Sequence, residues 1–186
     1  MAGYLGNTPT EVPLTSADIQ NGTINLVDLS ATGTPSASTF LRGDNSWASA
    51  GATAGQVIQV VTATDSTERA TTSASYATGS NTLAVTITPS SSANKILILL
   101  STLGFQYNRG TWALFRGATN LTTNGIMYND FPSDGTNVYI GYNFLDSPSS
   151  TSALTYQIYM KNSAGGSTYV NVNNSVGSIT ALEIKG

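Results

Sequence analysis

Short apolar runs that alternate in period two, each ended by small polar residues, most constrain the fold of this chain. Leu83, Val85 and Ile87 alternate with smaller or more polar residues, which places three apolar side chains on one face of an extended strand. The same alternation recurs over 138–144 and over 154–160. No stretch has a helical period long enough for a parallel crossover connection, so the strands are expected to pair antiparallel.

The composition favours the same class. Only 9% of residues are charged, and Thr, Val, Ile and Tyr suit a pleated, half-buried surface better than a helix. We therefore predict very little helix and an all-β antiparallel sandwich, with a jelly roll as the commonest closure. The expected strands are 57–61, 83–87, 96–100, 112–115, 138–144, 154–160, 169–172 and 179–184.

The first part of the chain has a different character. Residues 1–55 are rich in Gly, Thr, Ser and Asn, and their scattered apolar residues cannot close a core. Two interpretations compete, a disordered linker and an extended arm that orders against other subunits. Phe40 and Trp47 favour the arm, because a flexible linker has no use for large side chains. We predict an arm over 1–55 and a β-sandwich head over 56–186.

The net charge and the lack of cysteine limit which partners the chain can bind and how its fold is held together. The net charge is −3, with seven basic residues spread singly, so neither nucleic acid nor a membrane surface is an expected partner. Without cysteine the fold must hold by burial, strand pairing or self-association. The longest apolar run, Ile96 to Leu100, is far shorter than the roughly 20 residues of a membrane span. No secretory pattern opens the chain, so we expect a soluble protein made in the cytoplasm.

Catalytic chemistry has few candidates. The chain has no histidine, which removes the commonest general base and zinc ligand. Two acid pairs, Asp65 with Glu68 and Asp130 with Asp134, are interpreted as solvated turn residues. The loop 129–135 offers oxygen ligands but lacks the spacing and closing glutamate of a calcium-binding loop. We expect no enzyme activity and no catalytic, cofactor or metal site.

Aromatic residues supply the one candidate for recognition. Aromatic faces beside Asn and Ser can bind a sugar or a protein, but such residues also fill a sandwich core or a subunit seam. Tyr107, Tyr128 and Phe131 are predicted in loops and are the candidates for outward contact. The full aromatic group is Phe105, Tyr107, Trp112, Tyr128, Phe131, Tyr139 and Tyr142.

Two N-terminal segments resemble known proteins. Residues 3–10, GYLGNTPT, resemble the N-terminal segment of many bacteriophage tail-fibre proteins. Residues 34–47, TPSASTFLRGDNSW, resemble a segment that precedes a globular tip in phage fibres, where Gly often stands in place of Asn45; Gly43 and Asp44 predict a tight turn there. The resemblance implies that the arm anchors the chain to a virion. Its candidate anchor residues are Tyr4, Leu5, Pro9, Phe40 and Trp47.

The second half resembles a domain of marine phage fibre and virion proteins. The resemblance is carried by 87–98, 115–117, 144–148 and 179–184. It implies a homotrimeric jelly roll similar to tumour-necrosis-factor-like heads. The expected function is a short trimeric tail fibre that contacts a host-surface glycan or protein, and its other partners are virion proteins of the tail or capsid. The alternative is a capsid decoration, cement or head-fibre protein that stabilises the shell.

Overall fold

Strands make up about half of the backbone that the structure describes. The computed structural model describes residues 30–49, 51–80, 82–128 and 135–186. In chain order the strands of these ranges are β1 (Thr39–Leu41), β2 (Trp47–Ser49), β3 (Val57–Asp65), β4 (Arg69–Thr71), β5 (Ala77–Thr78), β6 (Ala84–Ile87), β7 (Lys95–Gln106), β8 (Gly110–Arg116), β9 (Thr119–Asn120), β10 (Met127–Tyr128), β11 (Thr136–Asp146), β12 (Leu154–Asn162), β13 (Thr168–Val170) and β14 (Gly177–Ile184). A 3-10 turn, Val172–Asn174, separates the last two. No helix in the described ranges is long and apolar enough to cross a membrane.

Two sheets form the larger of two compact units, residues 52–186; the other unit is 1–51. In the first sheet β3 and β4 lie at one edge, followed by β14 and β13, then β7, then β11. In the second sheet β5 and β6 lie at one edge, followed by β12, then β8, then β9 and β10. Every pairing is antiparallel.

The strand order defines a jelly roll. The twelve described strands of the head reduce to eight when β3 with β4, β5 with β6, β9 with β10 and β13 with β14 are each counted as one interrupted strand. Numbered in chain order, these eight strands form two four-stranded sheets with the orders 1-8-3-6 and 2-7-4-5. This is the connectivity of a doubly wound Greek key. The prediction of an all-β antiparallel sandwich is therefore confirmed, and the predicted strands all fall on strands of the head.

The core lies between the inward faces of the two sheets. Trp112, Ile140 and Ile158 are fully buried there, and side chains on β7 alternate between buried and half-exposed along its whole length. Gly104 allows close packing, since a Cβ at this position would lie 2.6 Å from Cζ2 of Trp112. The buried apolar cluster consists of Leu83, Val85, Ile87, Ile96, Ile98, Leu100, Trp112, Leu114, Val138, Ile140, Tyr156, Ile158, Met160, Val170, Ile179 and Ala181.

The structure corrects the predicted strands in two places. Val172, predicted at the end of a strand, lies in the 3-10 turn, where Asn171 and Asn173 have positive φ and end the extended backbone. Tyr128, predicted in a loop, lies in β10, where its backbone pairs with Thr111. Sequence reasoning also missed β4, β5, β9 and β10, which are only two or three residues long.

The first and last strands of the head meet at one end of the first sheet. The Gly55 amide donates to the Lys185 carbonyl at 2.8 Å, and the Lys185 amide donates to the Gln56 carbonyl at 2.9 Å. The far end of β7 carries Phe105 and Gln106, eleven residues from Lys95. The point at which the chain enters the head therefore lies at the opposite end of the sheet from Phe105.

The described part of the smaller unit is a hairpin. Strands β1 and β2 pair across a tight turn at Gly43 and Asp44, where the Asn45 amide donates to the Arg42 carbonyl at 3.0 Å. Asn45 has a φ of 59°, a conformation that Gly adopts without strain and that Asn tolerates better than most residues. The tight turn predicted at Gly43 and Asp44 is therefore present, with Asn45 in its left-handed position.

Candidate functional site

A concave site at the end of the first sheet gathers aromatic and polar side chains. It has a volume of about 320 Å³, within the range of small-molecule sites. We call it the aromatic pocket. Its described lining residues are Glu68, Phe105, Tyr107, Asn137, Tyr169, Val172 and Asn173.

Strand register brings three of these residues into one row. Phe105 on β7 is the direct partner of Asn137 on β11 and of Tyr169 on β13. All three occupy outward positions that alternate with buried ones along their strands. Outward neighbours on adjacent strands lie within contact distance, so the row forms a continuous floor for the pocket.

The aromatic rings support one another. The ring of Phe105 meets Tyr107 edge to face at 4.9 Å between centroids, and it meets Tyr169 in the same way at 5.7 Å. Gly135 passes so close that a Cβ there would lie 2.4 Å from Cζ of Phe105. Packing on several sides fixes the orientation of the rings before any ligand arrives, which lowers the entropic cost of binding.

The backbone of Tyr107 is also held in place. Its amide donates to the Ser167 carbonyl at 2.9 Å, and its carbonyl accepts from Nδ2 of Asn162 at 2.7 Å. The Tyr107 side chain remains 39% exposed. Tyr107 therefore presents a half-exposed ring from a fixed turn between β7 and β8.

The aromatic pocket is also lined by polar groups. The exposed carboxylate of Glu68 accepts a hydrogen bond of 2.7 Å from the backbone amide of Asn173. Ring faces, a carboxylate and amide side chains together are suited to a ligand with apolar C–H faces and several hydroxyl groups. A saccharide has this combination.

Of the three residues predicted to make outward contacts, the structure describes two, and these two do not lie together. Tyr107 lies in the aromatic pocket. The backbone of Tyr128 lies on the second sheet, and Phe131 lies outside the described residues. Glu68, Tyr169, Asn137 and Asn173 were not predicted as contact residues, because only the sheet order brings their segments together.

The wider aromatic group does not form one constellation. Trp112 is fully buried, and its indole N–H donates to the Tyr169 carbonyl at 2.9 Å. Tyr142 packs against the core, whereas Tyr139 is 71% exposed and bonds to the Ser101 hydroxyl at 2.8 Å. The sandwich separates these rings onto its inner and outer faces.

The interpretation of Asp65 as a solvated turn residue is wrong. Asp65 is buried and accepts hydrogen bonds from the Ser80 hydroxyl and the Thr67 amide. Burial by itself would raise the pKa of Asp65, but these hydrogen bonds outweigh it and lower the pKa to about 2. The carboxylate therefore ties together the loops after β3 and before β6, a structural role.

No cluster of metal-binding side chains was found among the described residues. Within the described ranges there is no group of three or more carboxylate or other metal-binding side chains. Asp130 and Asp134, with most of the loop 129–135 considered for calcium, lie outside the described residues.

A line of large apolar side chains crosses the outer face of the first sheet. Leu145, Leu97, Leu182 and Val60 are successive register partners on β11, β7, β14 and β3. We call these four residues the apolar row. Leu145 and Val60 are 50% and 57% exposed. Apart from Lys95, the outward residues of these four strands carry no charge, a composition typical of association surfaces.

The candidate anchor residues fall partly within the described hairpin. Phe40 lies on β1 and is 48% exposed, and Trp47 lies on β2 and is half-buried. Tyr4, Leu5 and Pro9 lie outside the described residues.

The sequence matches no protein-family model and no curated protein sequence. Among solved structures, the chain is similar to that of infectious bursal disease virus, Gx strain, with 15% identity and a TM-score of 0.38 over 69% of this chain and 32% of that chain. For the T13 viral particle of the same virus, the identity is 13% and the TM-score 0.36, over 75% of this chain and 38% of that chain. For the Gt strain, the identity is 12% and the TM-score 0.33, over 75% of this chain and 40% of that chain. The chain spans well under half of these proteins, and similarity this low carries no conclusion about function.

Proposed function

We propose that this chain is a non-enzymatic structural subunit of a bacteriophage particle, a short trimeric fibre whose head binds a host-surface saccharide. The aromatic pocket is the observation that carries the binding function. It combines fixed aromatic rings with the Glu68 carboxylate and two amide side chains, and it lies at the end of the head opposite the point where the chain enters.

Attachment to a virion is supported by the N-terminal segments. Residues 3–10 and 34–47 resemble phage fibre segments, and the second of these covers β1, the turn and the first residue of β2. Phe40 and Leu41 on β1 are exposed apolar residues, which suits a segment that is covered by another protein. The arm is proposed to bind virion proteins in this way.

Self-association is supported by the apolar row. Four aliphatic side chains on a sheet face whose only charged outward residue is Lys95 offer a surface whose burial between copies is favourable. A trimeric head carries three aromatic pockets, and simultaneous binding raises the overall affinity of weak sites.

The absence of enzyme activity is part of the proposal. A retaining or inverting glycosidase needs two carboxyl groups that face each other across a sugar. Of the carboxylates considered, Glu68 lines the aromatic pocket, whereas Asp65 is buried against Ser80. The pocket is therefore proposed to bind a saccharide without cleaving it, and release of reducing sugar from host envelope by the purified protein would contradict this.

The test has two parts, and the first is a count of copies on intact particles. A few to tens of copies at the tail is the expected result. Hundreds of copies over the shell would overturn the fibre proposal and make the chain a capsid decoration protein.

The second part compares binding of purified head variants to host cells. Tyr107→Ala is expected to weaken binding at least about tenfold, because truncating an anchoring aromatic residue commonly removes more than about 1 kcal/mol. Tyr139→Ala is the matched control, since Tyr139 is a more exposed aromatic residue of the same sheet outside the aromatic pocket. Equal binding by both variants would show that the aromatic pocket is not the host-binding site.

A further inference from the structure

A second cavity lies on the second sheet, and its wall contains a cation. Its volume is about 330 Å³, enough for a ligand of one or two sugar units. We call it the lysine pocket. The described residues that line it are Tyr76, Thr111, Thr123, Asn124 and Lys161.

The charge in this pocket is held in a fixed position. Nζ of Lys161 lies 4.6 Å from the ring centroid of Tyr76, a cation–π contact. Tyr76 is fixed in turn by Phe115, whose ring stacks on Tyr159 at 4.1 Å. None of the described carboxylates forms an ion pair with Lys161, so its charge is available to an anionic ligand.

The wall also holds a polar atom without a partner. Thr111 is register partner to Lys161, is 1% exposed, and its Oγ1 has no hydrogen bond. A buried hydroxyl without a partner costs about 1–3 kcal/mol, so native proteins seldom retain one without reason. This oxygen has almost no solvent-accessible surface, so a ligand in the pocket packs against Thr111 without bonding to its hydroxyl.

The loop over Thr111 is built for close approach. Gly125 has a φ of +80°, and a Cβ there would lie 2.2 Å from Cγ2 of Thr111. The Gly125 amide donates to the Thr122 carbonyl at 2.8 Å, and the Ile126 amide donates to the Trp112 carbonyl at 2.7 Å. The loop that contributes Thr123 and Asn124 is therefore held at both its turn and its end.

We propose that the lysine pocket binds an acidic monosaccharide unit, a sugar ring that carries one carboxylate. Lys161 pairs with the carboxylate, and the hydroxyl of Thr123 and the amide of Asn124 bind ring hydroxyls. One cation among neutral hydrogen-bonding groups suits a ligand with one negative charge and several hydroxyls. A phosphate group, by contrast, is usually bound by several cations or by converging backbone amides.

This site is independent of the proposed host-binding function, because it shares no residue with the aromatic pocket and needs no virion. The probes are methyl glucuronide and methyl glucoside, which differ only in the carboxylate. Binding to the whole chain is measured by amide resonance shifts at low ionic strength. We expect the glucuronide to shift the resonances of Thr111, Thr123 and Lys161, with at least about tenfold tighter binding than the glucoside.

Two variants assign the contacts. Lys161→Met keeps most of the aliphatic stem and is expected to abolish the preference for the glucuronide, whereas Lys95→Met, at an exposed lysine on the first sheet, is expected to preserve it. Thr111→Val separates wall packing from ligand contact: it is expected to preserve glucuronide binding and to maintain or raise the melting temperature, because it removes a buried hydroxyl that has no partner.

The contrary results are distinct. Equal affinity for the two glycosides, no shift with either, or an unchanged preference in Lys161→Met would each overturn the proposal. None of these results bears on Tyr107 or on the number of copies per virion, so failure here is distinguishable from failure of the fibre proposal.

Discussion

The carboxylate of Glu183 accepts a hydrogen bond of 2.6 Å from the side-chain amide of Asn94, a residue 89 positions earlier in the chain. Glu183 is fully buried on the inward side of β14, and it also accepts from the amide and hydroxyl of Ser90, at 2.6 and 2.8 Å. Oδ1 of the same Asn94 accepts from the Gly186 amide at 3.1 Å. This contact closes the end of the sandwich by joining the last strand to the turn between β6 and β7.

Replacing Glu183 with Gln should destabilise the fold by about 2–3 kcal/mol. The substitution removes the charge that strengthens three hydrogen bonds, and it brings a second amide donor towards Asn94. The free energy of unfolding in urea measures the effect. Glu68→Gln is the matched control, because Glu68 is exposed and a Gln oxygen can still accept from Asn173; similar losses in both variants would contradict a special role for Glu183.

Stability should be constant near neutral pH and fall in acid. Burial would raise the pKa of Glu183, but hydrogen bonds from Asn94 and Ser90 lower it below its ordinary range, as those of Asp65 lower its pKa to about 2. A carboxylate with a lowered folded-state pKa stabilises the fold above its unfolded-state pKa, and this contribution is lost as pH falls through the folded value. For Asp65 the loss falls between about pH 4 and 2 and amounts to about 2 kcal/mol.

Urea unfolding at a series of pH values measures this dependence. Because the chain has no histidine, no side chain of ordinary pKa titrates between about pH 5 and 8. Asp65→Asn should lower stability at neutral pH and flatten the decline in acid. An equally steep decline in this variant would assign the acid sensitivity to other groups.

Gly104→Ala should destabilise the head by about 1–3 kcal/mol. The added methyl would lie 2.6 Å from Cζ2 of Trp112 and 2.8 Å from Cδ1 of Ile140, so the core must shift. Gly141→Ala is the control, because its Cβ would meet nothing nearer than 4.0 Å, and it should leave stability unchanged or raise it by up to about 1 kcal/mol. Thermal melts of the two variants make the comparison, and a reversed order would refute the packing described around Trp112.

A charge placed in the apolar row should weaken self-association without unfolding the head. Val60→Lys or Leu145→Lys would put an ammonium group within the apolar row, and we expect an association constant lower by at least about tenfold. Sedimentation equilibrium measures it. Ala118→Lys, in an exposed turn of the second sheet, is the control. A wild-type protein that stays monomeric at micromolar concentrations would contradict the trimer itself.

Periodicity identified the strands of the head more reliably than the faces they bury. In β14 apolar residues stand on both faces, and the structure buries the face of Ile179, Ala181 and Glu183 while Leu182 belongs to the apolar row. A strand that is apolar on both faces has no preferred side in the sequence. Glu183 lies on the inward face because distant hydrogen-bond donors satisfy its carboxylate.

The aromatic pocket shows a second limit of sequence reasoning. Tyr107 was predicted as a candidate for outward contact because it was assigned to a loop; the structure places it in the turn between β7 and β8, and its contact with a ligand stays a prediction. Its neighbours Glu68, Asn137 and Tyr169 come from segments tens of residues away, and they converge because β4, β13, β7 and β11 lie side by side. Such convergence depends on sheet order, which no local pattern contains.

The positions of the chain entry and of the aromatic pocket have a mechanical consequence. The chain enters the head beside Lys185, at the Lys95 end of β7, and the pocket lies at the Phe105 end, about 36 Å away at ~3.3 Å per residue. If a particle pulls on the arm while the pocket holds a ligand, the tension runs parallel to the strands. The hydrogen bonds between β7 and its neighbours are then loaded together in shear instead of opening one after another, so the head should resist detachment forces that would unzip a sheet pulled from its edge.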